Sequence, residues 1–390
     1  MKDKENKKIA HLFGISMVLA FILPHTYLPL LLVNPIMCIS LVMMSKNKKR
    51  YHYNYLIIVA ILIPLFLNAF QGVSLKSLQI AGVIVLYAYT FPFIDGVKIH
   101  KFYFFLTFAF ILLTQLIYLI GIPFLTNLLD TVYPISEFKE GALMEMQDNI
   151  NTQNMLDYRM GGLYRNSNNC SEALSILFAS YLVLNHKEGG LNPIDWIFTL
   201  LCYIAIILTG SRTGFVVGTL VLIAYIYLGR KVSRAVRNLF ILVFIAAFIV
   251  IIQNGSDVFR GLNVLQGFND SANVKMDTFT YYLQNEDSFI NLLFGNFDAS
   301  KFKGGPNVLR SFDSDYGTLI YSYGFIGFIL ILIYYFSIFR RVDKVSKIYF
   351  FTLLWMYSST IVKSYRVIFI YMLLLSIIYT NNRKINIRYK

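Results

Sequence analysis

Long apolar runs separated by short polar breaks recur along almost the whole chain. They fall near positions 9–23, 27–44, 55–70, 78–94, 102–121, 171–184, 194–209, 214–228, 239–252, 316–339, 348–362 and 367–379. Runs of this length predict helices, and a perpendicular helix needs roughly 20 apolar residues to cross a bilayer. Several runs are shorter than that, and the first two can form one hairpin broken at Pro24 and Pro29. The pattern predicts an all-α polytopic membrane protein. It would have about twelve transmembrane helices, with residues 1–390 forming a single membrane domain.

Charge adds orientation. Basic tracts at 2–8, 46–50, 230–237, 340–347 and 383–390 lie between apolar runs. If the N-terminus is cytoplasmic, alternate loops on that side collect 23 of the 35 Lys and Arg, including Lys98, Lys101 and Lys187. Cytoplasmic loops are expected to carry such an excess. The expectation is therefore a multi-pass membrane protein with both termini cytoplasmic. The formal charge of +14 is accounted for by these tracts and by the outside cations discussed below, so nucleic-acid binding is not expected.

Composition agrees. Hydrophobic residues make up 57% and charged residues 14%, against about 25% charged in soluble domains. The three cysteines, Cys38, Cys170 and Cys202, sit in or beside apolar runs and read as small buried hydrophobes, not as a disulfide framework. The basic start and first apolar run lack a small-residue cleavage site, so they read as a retained span.

Two connections are long, at 122–169 and 254–314, and both fall outside. Loops of this length are usually functional or disordered. Their apolar and aromatic residues, such as Phe124, Leu143, Phe279 and Tyr282, predict short amphipathic helices at the interface.

Candidate chemistry gathers on the same side. Lys76, Lys139, Arg159, Arg165, Arg212, Arg260, Lys275, Lys301, Lys303, Arg310, Lys363 and Arg366 all fall outside, where basic residues are disfavoured. Arg212 is enclosed by apolar sequence, and Lys363 and Arg366 occupy a tight turn. A group of such cations suits an anionic ligand, because guanidinium binds pyrophosphate in bidentate fashion and a partly dry setting strengthens the attraction. Snorkelling to lipid phosphates is the plainer reading of any single one. In the stretch from Arg159 to Asn169, glycines permit close backbone approach, and Asn166 and Asn168 offer donors and acceptors for sugar hydroxyls. Asn168 or Asn169 can instead cap the following helix. Glu172 is a carboxylate inside an apolar run, a functional candidate or a partner for Arg165. Asp313 and Asp315, beside Arg310, can orient a hydroxyl or take its proton, or can simply stabilise a helix N-terminus.

Three signatures along the chain resemble those of the bacterial O-antigen and capsular polysaccharide polymerases (Wzy-type) and the wider O-antigen ligase superfamily. The first, roughly Arg-x-x-Gly-Leu-Phe-x-Asn-Pro-Asn, is matched by Arg159, Gly162, Leu163, Tyr164, Asn166 and Asn168, with Ser167 in place of proline. The second, an apolar run ending in Ser-Arg, is matched by Leu208-Thr209-Gly210-Ser211-Arg212. The third, a polar residue before a span and then aromatic-Gly-x-x-Gly, is matched from Asp315 to Gly327. Superfamily ligases carry a catalytic histidine late in the large external loop. Here that region holds Asp313 and Asp315, and the five histidines lie elsewhere. The departure favours a polymerase over a ligase.

The resemblance implies donor and acceptor substrates built as oligosaccharide repeat units on undecaprenyl diphosphate. It also implies membrane lipids around the protein, with a chain-length regulator and a flippase as further partners. It implies catalytic roles for Arg212, Arg310, Asp313 and Asp315: the arginines clamp the leaving diphosphate and a carboxylate handles the attacking hydroxyl. Substrate-binding roles fall to Arg159, Arg165, Asn166, Asn168, Ser211, Lys363 and Arg366. The scheme calls for no metal and no other cofactor. A ligase-type glycan transferase and a lipid-linked oligosaccharide flippase are the alternatives.

Overall fold

The structure, a computed structural model, describes residues 2–22, 53–69, 99–132, 161–164, 167–188, 191–228, 268–286, 288–297 and 315–355, with isolated positions at 73, 77–78, 81–82, 84–85, 238, 242, 371, 374–375 and 377–378. Every regular element among the described residues is helical. In chain order these are α1 (Lys2–Ile22), α2 (Asn54–Asn68), α3 (Lys101–Ile120) and α4 (Pro123–Val132), then a 3-10 turn at Gly162–Tyr164. After it come α5 (Ser167–Glu188), α6 (Pro193–Leu208), α7 (Arg212–Leu228), α8 (Phe268–Asn285), α9 (Phe289–Phe294) and α10 (Asp315–Phe339), and a 3-10 helix at Ser346–Leu354. The expected runs at 27–44, 239–252 and 367–379 lie wholly or mostly outside the described residues, as does most of 78–94.

Two helices, Lys101–Ile120 and Tyr316–Phe339, are long and apolar enough to cross a membrane. Helices α2, α6 and α7 are apolar but shorter. Both long connections contain helices: α4 and the 3-10 turn in the first, the 18-residue α8 and the short α9 in the second.

Cross-contacts fix the running directions. His11 Nδ1 lies 2.9 Å from Tyr103 Oη near the start of α3, and Tyr164 Oη donates to Phe21 O at 2.9 Å near its other end, so α1 and α3 run parallel. Helix α6 returns against α5, tied at one end by Tyr181 and Asp195 and at the other by Asn168 and Ser211. Helix α10 runs against α2: Arg341 lies over the Tyr53 ring, Gly327 meets Ala60, and Asn68 reaches Gly295 beside the upper part of α10.

Helix α5 stands at the centre, buried over nearly its whole described length, and its interior position takes in Ser171, Glu172, Ser175, Ser180 and Asn185. The helices around it present apolar stripes to the outside. Tyr55, Val59, Leu62 and Phe66 line one face of α2 at helical spacing, and Ile194, Ile197, Leu201 and Ile204 line one face of α6. Phe66 is 81% exposed and Glu172 only 1%. This is the reverse of the distribution usual in soluble domains.

The run at 348–362 is described only as far as Trp355, and Ser346–Leu354 is a 3-10 helix where a span predicts α-helix. Three residues per turn aligns Ser346, Tyr349, Thr352 and Trp355 on one face, and all four are fully buried. Tyr349 Oη donates to Tyr371 O from that face.

Candidate functional site

The second signature forms the turn between α6 and α7. Thr209 closes α6, its Oγ1 donating to Ile206 O at 2.7 Å and accepting from Ser211 N–H at 3.2 Å. Gly210 lies between them at φ 65°, a left-handed position that glycine adopts freely. Ser211 then caps α7: Gly214 N–H donates to its Oγ at 3.3 Å, the usual reach from the N-cap to the third helical residue. Arg212 is therefore the first residue of α7, half-buried, and not a loop residue ahead of the helix.

The same Ser211 hydroxyl donates to Asn168 Oδ1 at 2.9 Å. Helix α5 begins at Ser167, so Asn168 sits within its first turn, and its carbonyl oxygen is directed across to the second signature instead of capping α5. This bond joins two signatures 43 residues apart. It also brings the N-termini of α5 and α7 together next to Arg212. Each N-terminus carries partial positive charge and orphan N–H groups, so the junction favours an anion. Below it, α5 and α7 pack tightly. A Cβ on Gly214 would fall 1.6 Å from Ser171 Oγ, so only glycine permits this approach. Glu172, one turn on from Asn168, is 1% exposed.

The first signature is buried as well. Gly161, Gly162, Leu163 and Tyr164 all lie inside the bundle. Gly162, at φ 51°, presses on Thr114 and Gln115 of α3, and Leu163 N–H donates to Thr114 Oγ1 at 3.1 Å. Of the other candidates in this stretch, Arg159, Arg165 and Asn166 lie outside the described residues, as do Arg310, Asp313, Lys363 and Arg366.

The third signature has a different structure from a plain span. Asp315 is the first residue of α10. Nine residues further on, Gly324 breaks the helix at φ 67°, ψ 177°. The segment following α9 crosses in the break: Asn296 N–H donates to Tyr321 O at 2.8 Å and Phe297 N–H to Ser322 O at 2.9 Å. Two glycines make the crossing possible, since a Cβ on Gly295 would lie 2.4 Å from Ser322 O and one on Gly324 2.2 Å from Leu293 O. Asn68 Nδ2 donates to both Pro64 O and Gly295 O, fastening α2 to the same point. The second glycine of the signature, Gly327, packs on Ala60 of α2.

A carboxylate shapes the crossing segment. Glu286 accepts from Asn291 Nδ2 and from Asn296 Nδ2, each at 3.0 Å. Neighbouring Tyr282 packs on Tyr321 with ring centres 5.2 Å apart. Burial, reinforced by Glu286 and Tyr321, pushes the Tyr282 phenol above its ordinary range, so it stays a neutral donor.

At the opposite end of α5 lies a second polar cluster that sequence reading missed. Asp195, 1% exposed, accepts from Lys101 Nζ at 2.6 Å, Tyr181 Oη at 2.5 Å and Asn192 N–H at 3.0 Å. It ties together α3, α5 and α6. The Asn-x-x-Asp capping-box spacing at Asn192–Asp195 was its one local signal. Cys170 and Cys202 are buried free thiols, as expected. No group of three or more His, Cys, Asp or Glu with metal-holding geometry occurs among the described residues.

Comparison with protein-family models, with curated proteins and with solved structures gives no match to this chain.

Proposed function

We propose that this chain is a multi-pass membrane enzyme that joins undecaprenyl-diphosphate-linked oligosaccharide repeat units into a longer polysaccharide at the outer face of a bacterial plasma membrane. The observation that carries the reading is the Ser211–Asn168 bond. It brings the two signatures the sequence marked for ligand binding into one junction beside Arg212. The reversed polarity of the helices supports the membrane setting. Apolar stripes on the periphery suit lipid, and buried Ser, Asn and Glu suit a protein interior within it. About twelve spans with both termini cytoplasmic is the topology that fits the basic tracts.

In this reading the diphosphate of the donor rests against Arg212 and the paired helix N-termini. The acceptor's sugar hydroxyl attacks the anomeric carbon. The new C–O bond forms as the bond from that carbon to the phosphate oxygen breaks, and undecaprenyl diphosphate leaves with the electron pair. Positive charge already in place offsets the charge gathering on the leaving group. The hydroxyl proton passes to a carboxylate of the Asp313–Asp315 pair. Asn168 and Asn166 contact sugar, and Arg159, Arg165, Arg310, Lys363 and Arg366 supply further positive charge. Holding two membrane-anchored substrates together provides much of the acceleration.

Arg212→Ala tests this directly in a deletion strain carrying the variant. Long polymer should disappear and single repeat units remain, with the protein still present in the membrane. Normal chain length in that strain would remove the clamp. A lipid-linked oligosaccharide transporter is the second reading, favoured by the broken helix α10, since transporter sites are often built on discontinuous helices. The leaflet on which substrate accumulates in the deletion strain separates the two: outer for a polymerase, inner for a transporter.

A further inference from the structure

We infer that Thr114, with Gln115 beside it, is a positioning residue that sets the first signature against the Arg212 junction. The inference rests on the polymerase reading and deepens it.

Helix α3 is apolar from Phe102 onward apart from a few Thr, Tyr and one Gln. Thr114 is 1% exposed and Gln115 fully buried, so neither serves solvation. Thr114 Oγ1 donates to Ile111 O at 2.8 Å, which fixes its rotamer and turns its lone pairs outward from the helix. Those lone pairs receive Leu163 N–H at 3.1 Å. Gly162 makes the approach possible: a Cβ there would lie 2.8 Å from Thr114 Oγ1 and 3.2 Å from Gln115 N, and its φ of 51° is one that other residues rarely adopt. The described backbone of the first signature at Gly161–Tyr164 is thus seated on α3 by a hydroxyl and a missing side chain.

Gln115 extends the seat underneath the junction. Its Nε2 lies 3.5 Å from Cys170 Sγ and 3.5 Å from Ala205 O. Cys170 follows Asn168 by two residues on α5, and Ala205 precedes the Thr209–Ser211 turn on α6. One side chain therefore touches both helices whose ends carry the Asn168–Ser211 bond, while its neighbour holds Leu163. The two adjacent residues determine how Gly161–Tyr164 and the start of α5 sit relative to the turn that carries Arg212. Neither reaches the junction itself, which is why the role is positioning. The sequence reading did not single them out.

Wild type, Thr114→Val, Thr114→Ser and Arg212→Ala are compared as full chains, purified in detergent and supplied with lipid-linked repeat units. Valine keeps the shape and removes the hydroxyl; serine restores it. Thr114→Val should lose about a hundredfold in kcat, the scale of a misplacement near 1 Å, with KM little changed and the unfolding temperature close to that of Thr114→Ser. Thr114→Ser should recover most of the rate. Wild-type kcat in Thr114→Val overturns the inference. So does equal loss in both variants with matched drops in unfolding temperature, which is the mark of a purely structural residue. If wild type makes no polymer, or Arg212→Ala polymerises normally, the polymerase reading falls first and the inference with it.

Discussion

Replacing Gly324 by alanine should destabilise the protein far more than a single methyl group suggests. The backbone there, at φ 67° and ψ 177°, belongs to a region essentially confined to glycine, and holding another residue in it costs about 1–3 kcal/mol. The new Cβ would sit 2.2 Å from Leu293 O and 2.4 Å from Phe294 N, both backbone atoms, so the crossing must open. Opening it removes the bonds from Asn296 and Phe297 to Tyr321 and Ser322, each contributing roughly 1 kcal/mol net. Together the loss is about 3–5 kcal/mol. Two internal controls separate the causes. Gly121 has a left-handed φ of 70° but open space around its missing Cβ, so Gly121→Ala should lose only about 1–2 kcal/mol. Gly82 has open space and an ordinary φ, so Gly82→Ala should be neutral or slightly stabilising. Thermal unfolding of the four purified proteins in one detergent should rank Gly82→Ala and wild type highest, then Gly121→Ala, then Gly324→Ala. If Gly324→Ala melts with wild type or above Gly121→Ala, the crossing is not the close-packed joint described.

Ser211→Ala removes both the α7 cap and the bond to Asn168. It should cost about 1 kcal/mol as a lost cap and shorten the polymer, whereas Ser211→Thr should retain both; chain-length profiles and melting curves check this. Asp195→Asn removes the charge that Lys101 faces in the cluster at the other end of α5. A loss of roughly 1.5–3 kcal/mol is expected for a charged hydrogen bond, measured by unfolding, with polymer length per folded molecule unchanged; altered chain length would place Asp195 in the chemistry. Helix α4 exposes Phe124, Leu128 and Val132 along one stripe, with Tyr118 Oη donating to Asp130 on its polar side at 2.8 Å. A tryptophan at position 124 should therefore be quenched by brominated lipids in vesicles, and an unquenched, water-like emission would contradict a lipid-facing α4.

Much of the architecture is legible in the apolar runs, because a helix in an apolar setting must satisfy its backbone internally and leaves a long hydrophobic trace. The runs at 55–70, 102–121, 171–184, 194–209, 214–228 and 316–339 coincide with α2, α3, α5, α6, α7 and α10 to within a few residues. Hydropathy alone does not distinguish a continuous helix from one broken at Gly324. Both segments are apolar, and the break depends on Gly295, which arrives from 29 residues earlier in the chain. For the same reason the 3-10 helix Ser346–Leu354 passes for part of a span along the sequence, because most of its residues are apolar.

At the candidate site, residue type marked Arg212 as a cation among apolar neighbours, Asn168 as an amide suited to sugar hydroxyls, and Ser211 as part of the Ser-Arg signature. That local oddity is what a sequence records. Their convergence is not local. It requires α6 to return along α5, the chain to turn through Gly210, and α7 to start where Ser211 can cap it and reach Asn168 at once. Thr114, Gln115 and the Asp195 cluster escaped notice because each looks ordinary beside its own neighbours along the chain. Their importance comes from partners 49, 90 and 94 residues away. The sequence by itself determined the six apolar runs that coincide with helices and the residues whose type stands out, since both follow from neighbours in the chain. Only tertiary structure decided which of those residues meet, because a hydrogen bond depends on distance in space and direction, and neither is written in the order of residues.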